Sequence, residues 1–200
     1  MKWEVHCIMR QQGSSGYNFF VSTGSANFVS PVTSSATGFD AAQVRIQVHP
    51  IGKYSIFEIA NWFLSKESMA HKKLQKLCYY AQAWFITLKD IRLSDAVFEA
   101  WVHGPVSPVL YDRFKQYGYS TIRIVDDYSP IVMDDDLDLL ESVWQTYGEY
   151  TGNALEALSH SEQPWILARI GYAPDERCQI PITLESMKSF YKTIYSGGEA

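Results

Sequence analysis

The sequence predicts a mainly α protein of the α+β class: a compact multi-helix domain with a small β-ribbon, preceded by a loosely ordered N-terminal extension. Apolar residues recur at helical spacing over much of residues 55–195, short β-prone segments interrupt that pattern, and residues 1–52 lack it. With 200 residues, of which 46% are hydrophobic, the chain has enough apolar side chains for one ordinary core.

Residues 1–52 form the predicted extension. The stretch from Gln11 to Ala42 is rich in Ser, Gly, Thr and Ala, a composition that buries too little apolar surface to offset the entropy lost on ordering. The alternation of Val44, Ile46 and Val48 could still pair as an edge strand. A mis-called upstream start is a second explanation, which N-terminal sequencing of the native protein would exclude by finding Met1 or Lys2 first.

The first two helices are predicted from capping and apolar spacing. Ser55 and Glu58 form a capping box that begins a helix, and residues 65–68 interrupt it. The segment "MAHKKLQKLCYYAQAWFITL" follows, and its apolar residues recur at intervals of three and four. This spacing predicts one buried face. The opposite face is predicted to carry Lys72, Lys73, Lys76 and Tyr79.

The next segment predicts a strand, a turn and a short helix. "VFEAWV" is typical of a strand, and the Gly104-Pro105 pair is predicted to be the turn that ends it. Ser107 then caps a helix with Pro108 in its first position, and Gly118 is placed to close it in a left-handed conformation. "STIRIV" and "IVM" predict further short strands.

The remaining helices begin with an acidic run. Asp134, Asp135 and Asp136 precede an apolar helical pattern, and carboxylates at a helix N-terminus stabilise its dipole, so this run is predicted to be structural. Further helices are predicted at residues 151–158, 161–170 and 183–195.

Charge and composition restrict the classes of function. The net charge is −5, and the main domain has no basic stripe, which argues against nucleic acid as the main ligand. A protein partner, in particular a basic one, suits this charge better. No apolar run predicts a membrane span or a signal peptide, and three separated cysteines suit a reducing cytoplasm.

Catalytic signatures are absent from the sequence. It contains no G-x-G-x-x-G, G-x-x-x-x-G-K-[ST], H-E-x-x-H or G-x-S-x-G pattern, and Cys78 is predicted to be a buried apolar residue. His71, His103 and His160 could converge in space, but no ligand spacing supports a metal site. The sequence therefore predicts no cofactor, no metal and no enzymatic activity.

Three blocks of the sequence resemble the SocA-like antitoxin, or Panacea, domain family, which also includes phage-associated proteins. They are "HKKLQKLCYYAQAW" (residues 71–84), "FEAWVHGPVSPVLYDRFKQYG" (98–118) and "LEALSHSEQPWILAR" (155–169). With the flanking helices, the resemblance extends over residues 55–195. It implies a mainly helical domain that neutralises a protein toxin encoded by an adjacent gene, by direct binding rather than by catalysis.

The resemblance also indicates which residues form the fold or contact the toxin. Several residues of the three blocks match the family's sequence pattern. Many of these residues are expected to be fold determinants, because Gly-Pro pairs and inward-facing tryptophans determine the architecture of a domain. With neighbouring polar residues, the predicted toxin contacts or family-pattern residues are Lys73, Lys76, Tyr79, Trp101, His103, Gly104, Pro105, Tyr111, Lys115, His160, Pro164 and Trp165.

Two other functions are alternatives to the antitoxin. The domain could be a chaperone-like adaptor that delivers a partner to proteolysis, in which case the partner's abundance would fall in its presence. A metal-dependent enzyme centred on the three histidines is the other alternative. Aromatic residues make up 14% of the chain, more than one small core is expected to bury, so some are expected at a protein interface. The oligomeric state stays open.

Overall fold

The computed structural model describes residues 52–123 and 134–196. Within these ranges the chain is mainly helical with a little β-structure, which confirms the predicted α+β class. The predicted extension, apart from Gly52, and the predicted "IVM" strand lie outside the described residues. The helices are α1 (Ile56–Lys66), α2 (His71–Lys89), α3 (Pro108–Phe114), α4 (Asp134–Tyr147), α5 (Gly152–His160), α6 (Gln163–Ala168) and α7 (Leu184–Ser196). The strands are β1 (Met69–Ala70), β2 (Glu99–Trp101), β3 (Gly104–Val106) and β4 (Thr121–Ile122).

Helix α2 lies at the centre of the domain. It packs against α1, α3, α4, α5 and α7 and against strand β3, so the predicted apolar face is buried as expected. The predicted polar face is wrong, because Lys73, Lys76 and Tyr79 are also buried. Periodicity within one helix cannot show that other elements cover its second side as well.

The strands form two antiparallel pairs rather than one ribbon. Strand β1 pairs with β4, and β2 pairs with β3 so that Trp101 faces Gly104. The predicted Gly104-Pro105 turn is therefore wrong: Val102 and His103 make the turn, and Gly104 begins the returning strand. Proline is tolerated there because a strand in a two-stranded ribbon can lack one ladder N–H.

The predicted caps explain where two helices begin. Ser55 and Glu58 form a complete capping box at α1, and the Ser107 hydroxyl accepts a hydrogen bond from the Leu110 N–H at α3. The prediction for Gly118 is only partly met. It has a positive φ of 53° but a ψ of −118°, outside the left-handed helical region, and it follows a 3₁₀ turn at Lys115–Tyr117 rather than α3 itself.

Asp136 fastens α4 to the rest of the domain. Its buried carboxylate lies 2.5 Å from the Lys53 ammonium and 2.8 Å from the Lys89 ammonium, and it accepts a 2.6 Å hydrogen bond from the Tyr54 hydroxyl. Burial alone would raise its pKa, but these hydrogen bonds lower the pKa of Asp136 to about 2. For Asp136, the structural role predicted for the acidic run is confirmed.

No helix within residues 52–123 and 134–196 is both long and apolar enough to cross a bilayer. The longest described helix, α2, has 19 residues and carries several lysines.

Candidate functional site

Lys76 stands at the junction of the first two sequence blocks. Its side chain is 1% exposed, and its ammonium donates a 3.0 Å hydrogen bond to the Pro105 carbonyl. A Cβ placed on Gly104 would lie 2.7 Å from Lys76 Cε and 2.8 Å from Ser159 Oγ. Gly104 also has a φ of +89°, so the position requires glycine for both space and backbone conformation. Lys76, Gly104 and Pro105 therefore form one contact.

The charge of Lys76 is only partly compensated. Among the described residues, no carboxylate lies within ion-pair distance of its ammonium, and its hydrogen-bond acceptor is a neutral carbonyl. Burial is the main reason that the pKa of Lys76 is lowered to about 7; the nearby charge of Glu156 opposes this shift and that of Lys72 adds to it.

Glu156 organises the polar groups beside Lys76. Its carboxylate lies 2.5 Å from the Lys72 ammonium and 2.9 Å from His103 Nδ1. Burial would raise the pKa of Glu156, but the hydrogen bonds from Lys72 and His103 outweigh burial and lower it. Through its contact with Glu156, the His103 imidazole joins the β2–β3 turn to helix α5.

Gln75 joins α2 to the start of α3. Its side-chain amide donates to the Ser107 carbonyl at 3.1 Å, and its Oε1 accepts from the Ser107 N–H at 2.8 Å. The sequence patterns did not indicate a role for Gln75. The available signal was a glutamine inside an otherwise core-forming helix, but its partner lies 32 positions away and is adjacent only in the folded chain.

Aromatic rings stand beside these polar groups. Tyr111 lies between Trp101 and His71, with ring centroids 5.0 Å and 5.3 Å away, respectively. Trp101 donates its indole N–H to Glu99, while Tyr111 reaches the surface. The rings come from β2, α3 and α2, so the aromatic cluster exists only in the folded domain.

These groups line a cleft of about 630 Å³, which we call the Lys76 cleft. Its walls come from the beginning of α2, from β2, β3 and α3, and from the beginning of α5. Among the residues that the structure describes, they include cationic, aromatic and amide side chains but no aspartate or glutamate. The lining residues are Ala70, His71, Lys72, Gln75, Lys76, Trp101, His103, Val106, Tyr111, Lys115, Gly118, Tyr119, Thr151, Gly152 and Asn153.

The third sequence block packs against the β2–β3 ribbon outside this cleft. We call the contacts that His160, Trp165 and Arg169 make there the ribbon clamp. His160 stacks on Trp165 at 4.0 Å between ring centroids, and the Trp165 indole N–H donates to the Trp101 carbonyl at 3.0 Å. Buried Arg169 lies over the Trp165 ring and donates to the Ala100 carbonyl. This block therefore positions the ribbon that carries Trp101.

A buried carboxyl links α6 to the helical core. Glu162 is 5% exposed and accepts a 2.7 Å hydrogen bond from the Tyr191 hydroxyl and a 3.4 Å bond from Tyr80. Burial raises the pKa of Glu162 to about 8, although these hydrogen bonds oppose the shift. Tyr80 also stacks on Tyr147. Sequence analysis did not single out Glu162, because its partners lie on α2 and α7.

The predicted contact residues fall into separate environments. Lys76, Trp101, His103, Tyr111 and Lys115 line the cleft; Gly104 and Pro105 support it from behind. His160 and Trp165 belong to the ribbon clamp, and Pro164 is buried in α6. Tyr79 lies in the core, and Lys73 pairs with Glu67 at 2.9 Å, outside the cleft lining.

The histidines do not share one described environment. His71 and His103 line the cleft, whereas His160 stacks on Trp165 in the clamp. Across residues 52–123 and 134–196, no group of three or more His, Cys, Asp or Glu side chains could hold a metal ion. Cys78 is buried as predicted, and burial raises the pKa of its thiol.

An apolar surface lies at the end of α6 and in the turn that follows. Ile166, Leu167, Ile170 and Tyr172 are all exposed, and Ile170 is 71% accessible. The intervening Arg169 points inward, where it binds the carbonyls of Ala173 and Glu176 as well as the ribbon. We call these four exposed side chains the α6 surface.

Fold and site together define a mainly helical domain in which three sequence blocks pack around one ribbon and the first two of them line one cleft. Residues 74–166 match the family model described as "Antitoxin SocA-like, Panacea domain". The chain therefore contains a domain of the SocA-like Panacea family, as the three blocks predicted.

Part of the chain is also similar to a curated protein. Antitoxin SocA of Caulobacter vibrioides (strain NA1000 / CB15N) is 32% identical over 126 residues, in a match that covers 54% of this chain and 66% of the relative. No solved structure matches the chain.

Proposed function

We propose that this protein is an antitoxin that neutralises a cognate protein toxin, encoded by an adjacent gene, by binding it directly in the cytoplasm. The observation that carries this proposal is the 32% identity to a protein named Antitoxin SocA, together with the family match over residues 74–166. Binding rather than catalysis is proposed because many of the predicted site residues make packing contacts and hydrogen bonds that hold the fold together.

The α6 surface is the part of the domain best suited to a protein interface. Large apolar side chains exposed within a few consecutive residues mark interaction sites more strongly than isolated ones do. The ribbon clamp and the buried Arg169 hold the underlying turn in place, so little conformational entropy would be lost there on binding. Among the predicted contact residues, Lys76, Tyr79, Gly104, Pro105 and Pro164 are buried and are proposed to act through the fold.

Co-expression with the product of each adjacent gene tests the proposed function. If the protein is an antitoxin, one of these products should arrest growth alone, and co-expression should restore growth and give a stoichiometric complex on affinity purification. Failure with every adjacent gene would contradict the proposal. Toxin abundance separates binding from the adaptor alternative, because an adaptor would lower it and direct neutralisation would leave it unchanged.

A matched pair of variants tests the α6 surface. Leu167→Asp places a charge in the proposed interface, whereas Val97→Asp places one at a similarly exposed apolar position outside it. Leu167→Asp should weaken the complex at least about tenfold and abolish growth rescue, while Val97→Asp should leave both unchanged. Equal effects of the two variants would exclude this surface but leave the antitoxin function in place.

A further inference from the structure

The Lys76 cleft has a charge that is unusual for this acidic protein. Lys72, Lys76 and Lys115 all line it, and the lining contributed by residues 52–123 and 134–196 contains no acidic side chain. Nearby carboxylates balance part of this charge, because Glu156 pairs with Lys72 and Asp112 pairs with Lys115. Of the three lysines, Lys76 has no ion pair with a described carboxylate, and its hydrogen-bond acceptor is the neutral Pro105 carbonyl. An anion in the cleft would complete this set of charges.

The backbone around the cleft favours the same sign of ligand. Helix α2 begins at the cleft with Ala70, which provides no side-chain cap, and its first turn contains no acidic residue. The beginning of α5 lies directly beside it, since a Cβ on Gly152 would be 3.1 Å from the Lys73 backbone nitrogen. Helix N-termini carry partial positive charge, so both add to the field of the lysines.

The aromatic wall and the size of the cleft restrict the ligand further. Trp101, Tyr111 and His71 present rings along one side, and such rings bind planar groups by stacking. The volume of about 630 Å³ lies within the range of small-molecule sites. A polyanion would be repelled by the net charge of −5 outside the cleft, whereas a small ligand would meet only the local positive charge.

We propose that the Lys76 cleft binds a small phosphorylated molecule with a planar ring, of the chemical class of the nucleotides. The phosphate lies toward Lys72, Lys76 and Lys115, and the ring lies against Tyr111 and Trp101. A phosphate suits the site better than a carboxylate because its larger charge and additional oxygens match several separate donors. This site is distinct from the α6 surface and does not depend on the proposed antitoxin function.

Calorimetric titration of the full-length protein tests the ligand class. The probes are adenosine monophosphate, adenosine, inorganic phosphate and a short polyglutamate peptide. Adenosine monophosphate should bind at least about tenfold more tightly than each of the others, because each of the others lacks either the phosphate or the ring. The proposal is overturned if adenosine binds equally well, if adenosine monophosphate does not bind at millimolar concentration, or if the acidic peptide binds more tightly.

Variants place the ligand in the cleft. Lys115→Ala should weaken binding of adenosine monophosphate at least about fivefold, and Tyr111→Ala should weaken it without changing the affinity for inorganic phosphate. Lys188→Ala is the matched control, because Lys188 is also a surface lysine paired with a single aspartate, at 2.7 Å from Asp90. Binding that responds equally to Lys115→Ala and Lys188→Ala would overturn the assignment to the cleft. Thermal melting verifies that all three variants are folded.

Discussion

Lys76 and Asp136 are both about 1% exposed, yet the domain surrounds the two charges in different ways. Asp136 is enclosed by opposite charges and a hydroxyl, from Lys53, Lys89 and Tyr54. Lys76 is enclosed mainly by neutral groups, with Gly104 against its stem and the Pro105 carbonyl at its ammonium. A buried charge with several oppositely charged partners stabilises the folded state. A buried charge without such partners destabilises it unless a bound ligand supplies the opposite charge.

The two pKa shifts express the same contrast. The pKa of Asp136 falls to about 2, so the folded state favours the charged carboxylate, whereas the pKa of Lys76 falls to about 7, so the folded state disfavours the charged ammonium. Charge therefore stabilises the fold at the first position and destabilises it at the second. Four variants test this difference, in order of decreasing effect.

Gly104→Ala should have the largest effect, because it disrupts the enclosure of Lys76. The new Cβ would contact Lys76 Cε and Ser159 Oγ, at a φ of +89°. Overpacking and backbone strain together should lower the free energy of unfolding by about 3 kcal/mol, as measured by chemical denaturation. Adding Lys76→Ala should recover part of this loss. If the double variant were no more stable than Gly104→Ala, contact with Lys76 would not be the cause.

Asp136→Asn should lower the free energy of unfolding by about 2 kcal/mol at neutral pH. Its folded pKa of about 2 lies below the ordinary value of 3.8. The stabilisation is therefore present above the unfolded pKa and is lost as pH falls through the folded one. Between about pH 4 and pH 2, the wild type should lose stability until the two proteins converge. A difference that persisted unchanged at pH 2 would show that the carboxylate charge is not responsible.

Lys76→Met should change the free energy of unfolding by less than about 1 kcal/mol at pH 7, because loss of the hydrogen bond to Pro105 offsets removal of a buried charge. The folded pKa, about 7, lies below the ordinary 10.5, so wild-type stability should rise with pH between these values as the folded lysine loses its proton first. Chemical denaturation at pH 7 and at pH 10 gives the free energy of unfolding of both proteins. The rise that the wild type shows and Lys76→Met lacks is the contribution of this lysine. Its absence would contradict the burial of a chargeable amine.

Lys115→Ala should leave stability unchanged, and so should its control Lys188→Ala. Each lysine forms one ion pair, with Asp112 or Asp90, in which both side chains are substantially accessible to solvent. Solvent screens such pairs, so they contribute little to folding. Thermal melting measures both variants. A marked loss of stability in Lys115→Ala alone would mean that this lysine supports the cleft structurally.

The contrast also shows how far sequence reasoning reached. The capping box at Ser55, the cap at Ser107 and the core position of Cys78 were all predicted correctly, because each depends on neighbours within one element. The periodicity of α2 taken alone predicts an exposed face for Lys76 and Tyr79. Packing on all sides of α2 overrode that pattern, and burial of Tyr79 followed from the tertiary fold.

The candidate site was predictable only in part. The family resemblance and the neighbouring polar residues point to Trp101, His103 and Tyr111, and the structure brings them to one cleft. Glu156 and Gln75 were missed because their roles depend on partners in other elements. The Gly104-Pro105 pair was recognised as important but assigned to the turn itself. In the structure, Gly104 instead packs closely against Lys76, which lies 28 positions earlier in the chain.

The sequence by itself determined the helical class of this protein, the beginnings of its helices and the family to which residues 74–166 belong, because caps, periodicity and motif spacing are local properties. Only the tertiary structure decided which charges are buried, which are paired and which line a cleft. Those properties depend on distances between residues that are remote in sequence, such as Lys76 and Pro105 or Asp136 and Lys53. A buried charge therefore stabilises the fold at Asp136, where opposite charges surround it, and leaves a candidate binding site at Lys76, where the hydrogen-bond acceptor is a neutral carbonyl.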